Sequence, residues 1–179
     1  MDHPACDDKP RFCPRCGGGL ESRVVKAGEA ERLVCVSCSA VHYLNPKVAA
    51  CAIFMVNGGI VLLKRAIEPQ IGKWVFPGGF VDRGETLQGA AVRETFEEVG
   101  SRISVTGILD AYSYAGHGVA VVVYAAEAVG GSLEARDEAL EVRAFKPEEL
   151  PWDELAFEST RAALKDYLRR FFPRVRVPR

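Results

Sequence analysis

Residues 78–100 read GGFVDRGETLQGAAVRETFEEVG. A Gly-rich loop runs into a stretch of helical character from Thr86 to Val99, and Gly100 supplies a C-cap signal. On such a helix Glu94, Glu97 and Glu98 stand at i, i+3 and i+4, so three carboxylates share one face. Like charges at that spacing cost a helix about 0.2–0.5 kcal/mol per pair. An acidic face bathed in water is the ordinary account; a cluster that takes up a cation is the chemical one. Val92, Thr95, Phe96 and Val99 fill another side, which is expected to pack on a sheet. Arg93, one turn before Glu97, is placed to pair with it. Glu85 lies near the helix start, where the positive end of the dipole favours an acid. Gly78-Gly79 allows a tight turn that exposes a carbonyl. Carboxylates plus a carbonyl form an all-oxygen donor set, which suits Mg²⁺ and suits zinc poorly.

The flanking segments predict an α/β fold. KVAACAIFMV (47–56) reads as a buried strand, NGG (57–59) as a hairpin turn and IVLLKR (60–65) as the returning strand. ISVTGILDAYSY (103–114) and VAVVVYAAEA (119–128) read as strands around the turn AGHG, and EVRAF (141–145) as a shorter one. A last helix is expected over about 155–171, with Phe157, Leu164, Leu168 and Phe171 on the core. Strands before, between and after helices predict a sandwich with a mixed sheet.

Upstream, Cys13-Pro-Arg-Cys16 and Cys35-Val-Ser-Cys38 are paired Cys-x-x-Cys steps separated by eighteen residues. That spacing is the signature of a zinc ribbon with a closed four-thiolate site, which is structural rather than catalytic. So small a unit has little core, and zinc is expected to supply much of its stability. His42 is a weaker candidate to replace a thiolate; Cys51 reads as a core residue and Cys6 has no assigned role. The expected organisation is a loose leader over 1–11, the ribbon over 12–46 and the main domain over 47–179.

The stretch from Gly79 resembles the Nudix box: five residues to Glu85, seven more to Arg93-Glu94, then Glu97-Glu98 and Gly100. Thr95 and Ser101 occupy its two loosely apolar positions, and Ser101 is the larger departure. The resemblance implies a Nudix α/β/α sandwich and Mg²⁺- or Mn²⁺-dependent hydrolysis of a nucleoside diphosphate linked to another group. It implies Glu94, Glu97, Glu98 and the Gly79 carbonyl as metal ligands, with Arg93 and Glu85 orienting them. It also implies a further carboxylate from a late loop as base or extra ligand, for which Glu141 is the first choice and Glu138 the reserve. Together with FCPRCGGGLE, RLVCVSCSAVHYLNPK and WDELAFESTRAALKDYL, the box makes the chain similar to Nudix hydrolases with an N-terminal zinc ribbon. Among these, plant plastid FAD/ADP-ribose pyrophosphatases are the nearest resemblance. NADH pyrophosphatases of this kind carry an SQPWPFPxS-type segment after the box, which ILDAYSYAGHGVAVVVYA lacks, so ADP-ribose or FAD is the expected substrate.

For substrate contacts, Trp74, Phe76, Tyr112 and Tyr114 are aromatic candidates for stacking, although most aromatics are core. Arg65 could meet a phosphate or merely cap a sheet edge, and His117 is better read as a turn residue than as a base. An RNA cap-removing enzyme and a non-catalytic nucleotide sensor are the competing classes.

The net charge of −1 gives no global pull toward polyanions, and the ribbon region is nearly neutral, so nucleic acid is not an expected partner. Seven Lys or Arg against Asp166 make residues 161–179 basic, as expected of a solvated helix face and frayed end. No apolar run reaches the length of a membrane span, and the first residues lack a secretory h-region. These features predict a cytoplasmic chain with a small nucleotide substrate and scope for homodimerisation.

Overall fold

The computed structural model describes residues 9–178, so Cys6, most of the expected leader and Arg179 lie outside it. It divides into two compact units with the boundary between Asn45 and Pro46.

The first unit is a small antiparallel sheet of β1 (Leu20–Arg23), β2 (Arg32–Cys35) and β3 (Val41–His42), in that order. Among the described residues only Cys13, Val34 and Cys35 are buried apolar residues there, too few to fold so short a chain alone.

The second unit holds two sheets. One has the order β8 (Gly78–Phe80), β4 (Lys47–Ile53), β10 (Val119–Gly131), β9 (Ser101–Ser113). The β4–β10 pair is parallel and the others antiparallel, so the sheet is mixed as expected. The other has β11 (Ala139–Phe145), β6 (Gly59–Arg65) and β5 (Met55–Val56) in order, with β7 (Trp74–Val75) also on β6. The run 47–56 is therefore two strands. It breaks at the fully buried Phe54, and its halves belong to different sheets, the Asn57–Gly58 turn joining β5 to β6.

Helix α1 (Leu87–Val99) packs on β4, β8 and β9, and α2 (Glu158–Phe171) on β9 and β10. Strand alternation explains this layering. Ala50, Val122 and Tyr124 meet Ala90 and Ala91 of α1, while Cys51, Ile53 and Val123 join the main core with Leu164 and Leu168 of α2. The second helix starts later than its periodicity suggests, because residues 155–156 are used as extended chain. Leu155 bridges Trp74, and the Ala156 amide donates to the Trp74 carbonyl at 2.8 Å. Phe171 is exposed, and Ala163 and Tyr167 complete the buried face instead. Among the described residues, no helix is long and apolar enough to cross a membrane.

Candidate functional site

The helix that carries the carboxylates is capped at both ends by residues of the quoted stretch. Thr86 Oγ1 accepts from the Gly89 amide at 3.0 Å, and Gly100 closes the other end at φ 69°, in the left-handed region. Glu98 lies on the inner side of the acidic face, 7% exposed, and its Oε2 accepts from the Gly78 amide at 2.8 Å. Glu94 is pressed against Gly79: a Cβ there would stand 2.5 Å from the Glu94 carboxyl carbon. Only glycine leaves room for that carboxylate beside the loop backbone. Glu97, at the outer edge, is exposed.

Arg93 organises the group. It forms a two-pronged pair with Glu85 (Nε–Oε1 3.0 Å, Nη2–Oε2 2.9 Å), and its Nη1 donates to Glu94 at 2.8 Å and to Glu97 at 2.9 Å. Its Nη2 also donates to the Phe80 carbonyl at 3.3 Å, tying the loop to the helix. Glu85 precedes the N-cap and is held by Arg93, not by the helix dipole as its position suggested. The Arg93 hydrogen bonds pull its carboxyl below the usual range. Burial pushes the Glu98 carboxyl up to about 8, reinforced by the charges of Glu94 and Glu138 and opposed by the Gly78 amide and Arg65. Glu94 is raised for the same leading reason, against the pull of Arg93.

Of the two late-loop carboxylates, Glu141, the first choice, pairs with Arg143 at 2.5 Å. Glu138, the reserve choice, acts on Glu94, on Glu98 and on Arg65 as well. The β11–β6 pairing shifts register between Ala139 and Glu141.

Arg65 lies within electrostatic reach of Glu98 and Glu138. Its Nε donates to the Pro69 carbonyl at 2.8 Å and its guanidinium covers the Phe157 ring at 5.1 Å. Trp74 and Phe76 are not stacking platforms: they are 3% and 2% exposed and belong to the core, Trp74 meeting Phe145 edge-on at 4.9 Å. Tyr112 is half-buried and donates its hydroxyl to Asp166 of α2 at 3.0 Å, while Tyr114 is exposed and near His117 in the turn. Phe96 is not buried on the sheet as expected. It lies exposed between Arg102 and Arg136, 5.5 and 5.3 Å from its ring.

In the first unit the sulfurs of Cys13, Cys16, Cys35 and Cys38 all lie within 4.8 Å of one another. Backbone amides of Cys38 and Ser37 pull the Cys35 thiol down to about 6, against the effect of burial. This soft, converging donor set fits zinc. His42 Nε2 stands 3.3 Å from Cys13 Sγ, beside the cluster rather than in place of a cysteine. Among the described residues no second group of donors converges so closely, since Arg93 draws Glu94 and Glu97 to itself. The acidic face nevertheless fits a hard divalent cation by donor chemistry, and the Glu94 carboxylate occupies the cradle that Gly79 leaves open.

Residues 45–171 match the NUDIX domain model, and residues 11–44 match the model described as Nudix N-terminal, a zinc ribbon. The chain is 39% identical over 132 residues to an ADP-ribose pyrophosphatase of Methanocaldococcus jannaschii, covering 71% of this chain and 76% of that one. It is 30% identical over 125 residues to an NAD-capped RNA hydrolase, NudC, of Vibrio atlanticus, covering 69% of this chain but only 44% of the relative. A solved NUDIX hydrolase from Nitrosomonas europaea superposes with a TM-score of 0.86 at 32% identity, over 95% of this chain and 97% of that one. With its box folded on α1 and its cysteine knuckles upstream, the chain belongs to the Nudix family and is a pyrophosphohydrolase of the kind that carries an N-terminal zinc ribbon.

Proposed function

We propose that this chain hydrolyses the diphosphate bond of a nucleoside diphosphate derivative, ADP-ribose first and FAD second, to give two monophosphates. The observation that carries this reading is the acidic face of α1, where Glu94 and Glu98 are locked onto the Gly78–Gly79 turn. The likeness to an archaeal ADP-ribose pyrophosphatase over most of both chains supports the choice of substrate.

Glu94, Glu97, Glu98 and the Gly79 carbonyl would hold Mg²⁺ or Mn²⁺, which when bound neutralises phosphate charge and makes bound water more acidic. Arg93 and Glu85 keep the carboxylates in register through their two-pronged pair. Of the two late-loop carboxylates we take Glu138, whose charge bears on Glu94 and Glu98, as the acceptor of the attacking water's proton, with Glu141 as the alternative. Arg65 offers its guanidinium to a phosphate oxygen. Tyr112, whose hydroxyl donates to Asp166, is kept as a candidate substrate contact. Cys13, Cys16, Cys35 and Cys38 hold a structural Zn²⁺ that closes the ribbon over 12–46.

A second reading, removal of a nucleotide cap from RNA, is favoured by the likeness to NAD-capped RNA hydrolases, although this chain spans under half of that relative. The deciding experiment compares kcat/KM for ADP-ribose, FAD, NADH, a dinucleoside tetraphosphate and NAD-capped RNA with Mg²⁺ or Mn²⁺. Preference for ADP-ribose or FAD, with weak salt dependence, is the expected result. A preference for capped RNA that falls steeply with salt would overturn it.

A further inference from the structure

The segment between β10 and β11 is fastened to the last turn of α1. The Glu134 amide donates to the Val99 carbonyl at 3.1 Å, and the Arg136 amide to the Glu98 carbonyl at 3.0 Å. Both carbonyls belong to the helix end that carries the acidic face, and they are groups a helix leaves without internal partners. Arg136 then opens a tight turn: the Ala139 amide returns to the Arg136 carbonyl at 2.8 Å, with Asp137 at a positive φ of 37°. Glu138 is the third residue of that turn, and its carbonyl accepts from the Ala66 amide at 2.8 Å, one residue after Arg65.

The Arg136 side chain seats this turn. Its guanidinium is held by Glu134 (Nε 3.0 Å, Nη2 2.7 Å) and lies over the Phe96 ring. It also crosses Gly100 so closely that a Cβ there would meet its Cζ at 3.1 Å. Helix α1 has no basic residue in its own last turn, where Glu97 and Glu98 oppose the helix dipole. Arg136 brings a positive charge to that end from outside the helix. The guanidinium over the Phe96 ring is a cation–π contact that favours this position of the turn.

Resting on the diphosphate hydrolysis proposed above, we propose that Arg136, seated on Phe96 and against Gly100, is a positioning residue that fixes the Glu138 carboxylate relative to Glu94 and Glu98. Arg136 does not touch the reacting groups; it acts through the turn. Phe96 is thereby assigned as the seat of the turn, which accounts for a large aromatic exposed next to two of the acidic residues.

The test is a double-mutant cycle on ADP-ribose hydrolysis with Mg²⁺, using Arg136→Ala, Glu138→Gln and the pair, with thermal melts to confirm folding. Arg136→Ala is expected to lower kcat about tenfold with KM changed less than about twofold. In the Glu138→Gln background the same substitution should add nothing further. Phe96→Tyr, which keeps the ring, should restore nearly normal kcat where Phe96→Ala does not. Additive losses in the cycle, or a Glu138→Gln enzyme with full activity, would overturn the proposal while leaving an inactive Glu98→Gln enzyme to uphold diphosphate hydrolysis itself. Amide exchange gives a readout that needs no turnover. In Arg136→Ala the Ala66 amide should exchange faster while Ala90 within α1 keeps its protection, and an unchanged Ala66 amide would equally overturn the proposal.

Discussion

The two polar clusters of this molecule are built on opposite terms. In the first unit four sulfurs converge within 4.8 Å on short strands and turns that bury almost nothing else. In the second, three carboxylates are mounted on a helix packed on one face of a sheet above a full core, and a guanidinium orders two of them. On the reading proposed above, the first cluster holds its small unit together, so a change in its ligand would be a change in structure. The second stands on a domain with a core of its own. Stability of the ribbon and chemistry at the helix would then depend on different metals and different residues within one chain.

The largest expected effect tests the first half of that contrast. Cys35→Ser, or exhaustive chelation, should unfold residues 12–45, because structural zinc in small units contributes about 10–16 kcal/mol. The β1–β3 amides should lose exchange protection while those of β4, β6 and β10 keep theirs. Retained protection in β1–β3 without metal would break the comparison.

Next comes the acidic face. Glu98→Gln should lower kcat on ADP-ribose by about two to three orders of magnitude, with a melting temperature no lower than that of the parent. A glutamine oxygen can still accept from Gly78 while the buried charge is gone. The same residue makes a pH prediction. Its folded pKa lies near 8, above the ordinary glutamate value, so the folded state holds a proton that the unfolded state has lost. The contribution of Glu98 to stability is therefore full below about pH 4 and is lost as pH rises to about 8. Urea unfolding of the cation-free protein across that window should show stability falling with pH in the parent and a shallower slope in Glu98→Gln.

Smaller effects sharpen the picture of how the face is held. Arg93→Ala removes the hydrogen bonds to Glu85, Glu94 and Glu97 and should destabilise the protein by about 1–3 kcal/mol in chemical denaturation. Glu141→Gln should leave kcat within about twofold of normal, since that carboxylate is occupied with Arg143 outside the cluster. A large loss there would return the late-loop role to Glu141.

Much of this was legible because the informative residues are close in sequence. Helix spacing alone places Glu94, Glu97 and Glu98 together, and the i, i+4 relation pairs Arg93 with Glu97. Paired Cys-x-x-Cys steps converge because each knuckle is a local turn. The errors share a cause as well. Trp74, Phe76 and Phe96 were assigned from residue type and neighbourhood, but burial and partners depend on strands far away in sequence. Edge-on contact with Phe145 closes Trp74 into the core, and Phe96 stands exposed between Arg102 and Arg136.

By itself, then, the amino-acid order determined the local chemistry: a caps-and-spacing pattern that makes one helix acidic on one side, and cysteine knuckles that select a soft metal. Tertiary structure alone decided which distant groups complete that face. The Gly78 amide on Glu98, the Arg136 seat on Phe96 and the approach of Glu138 all cross from one element to another. Such contacts arise from sheet register and close backbone packing, which no short-range periodicity encodes.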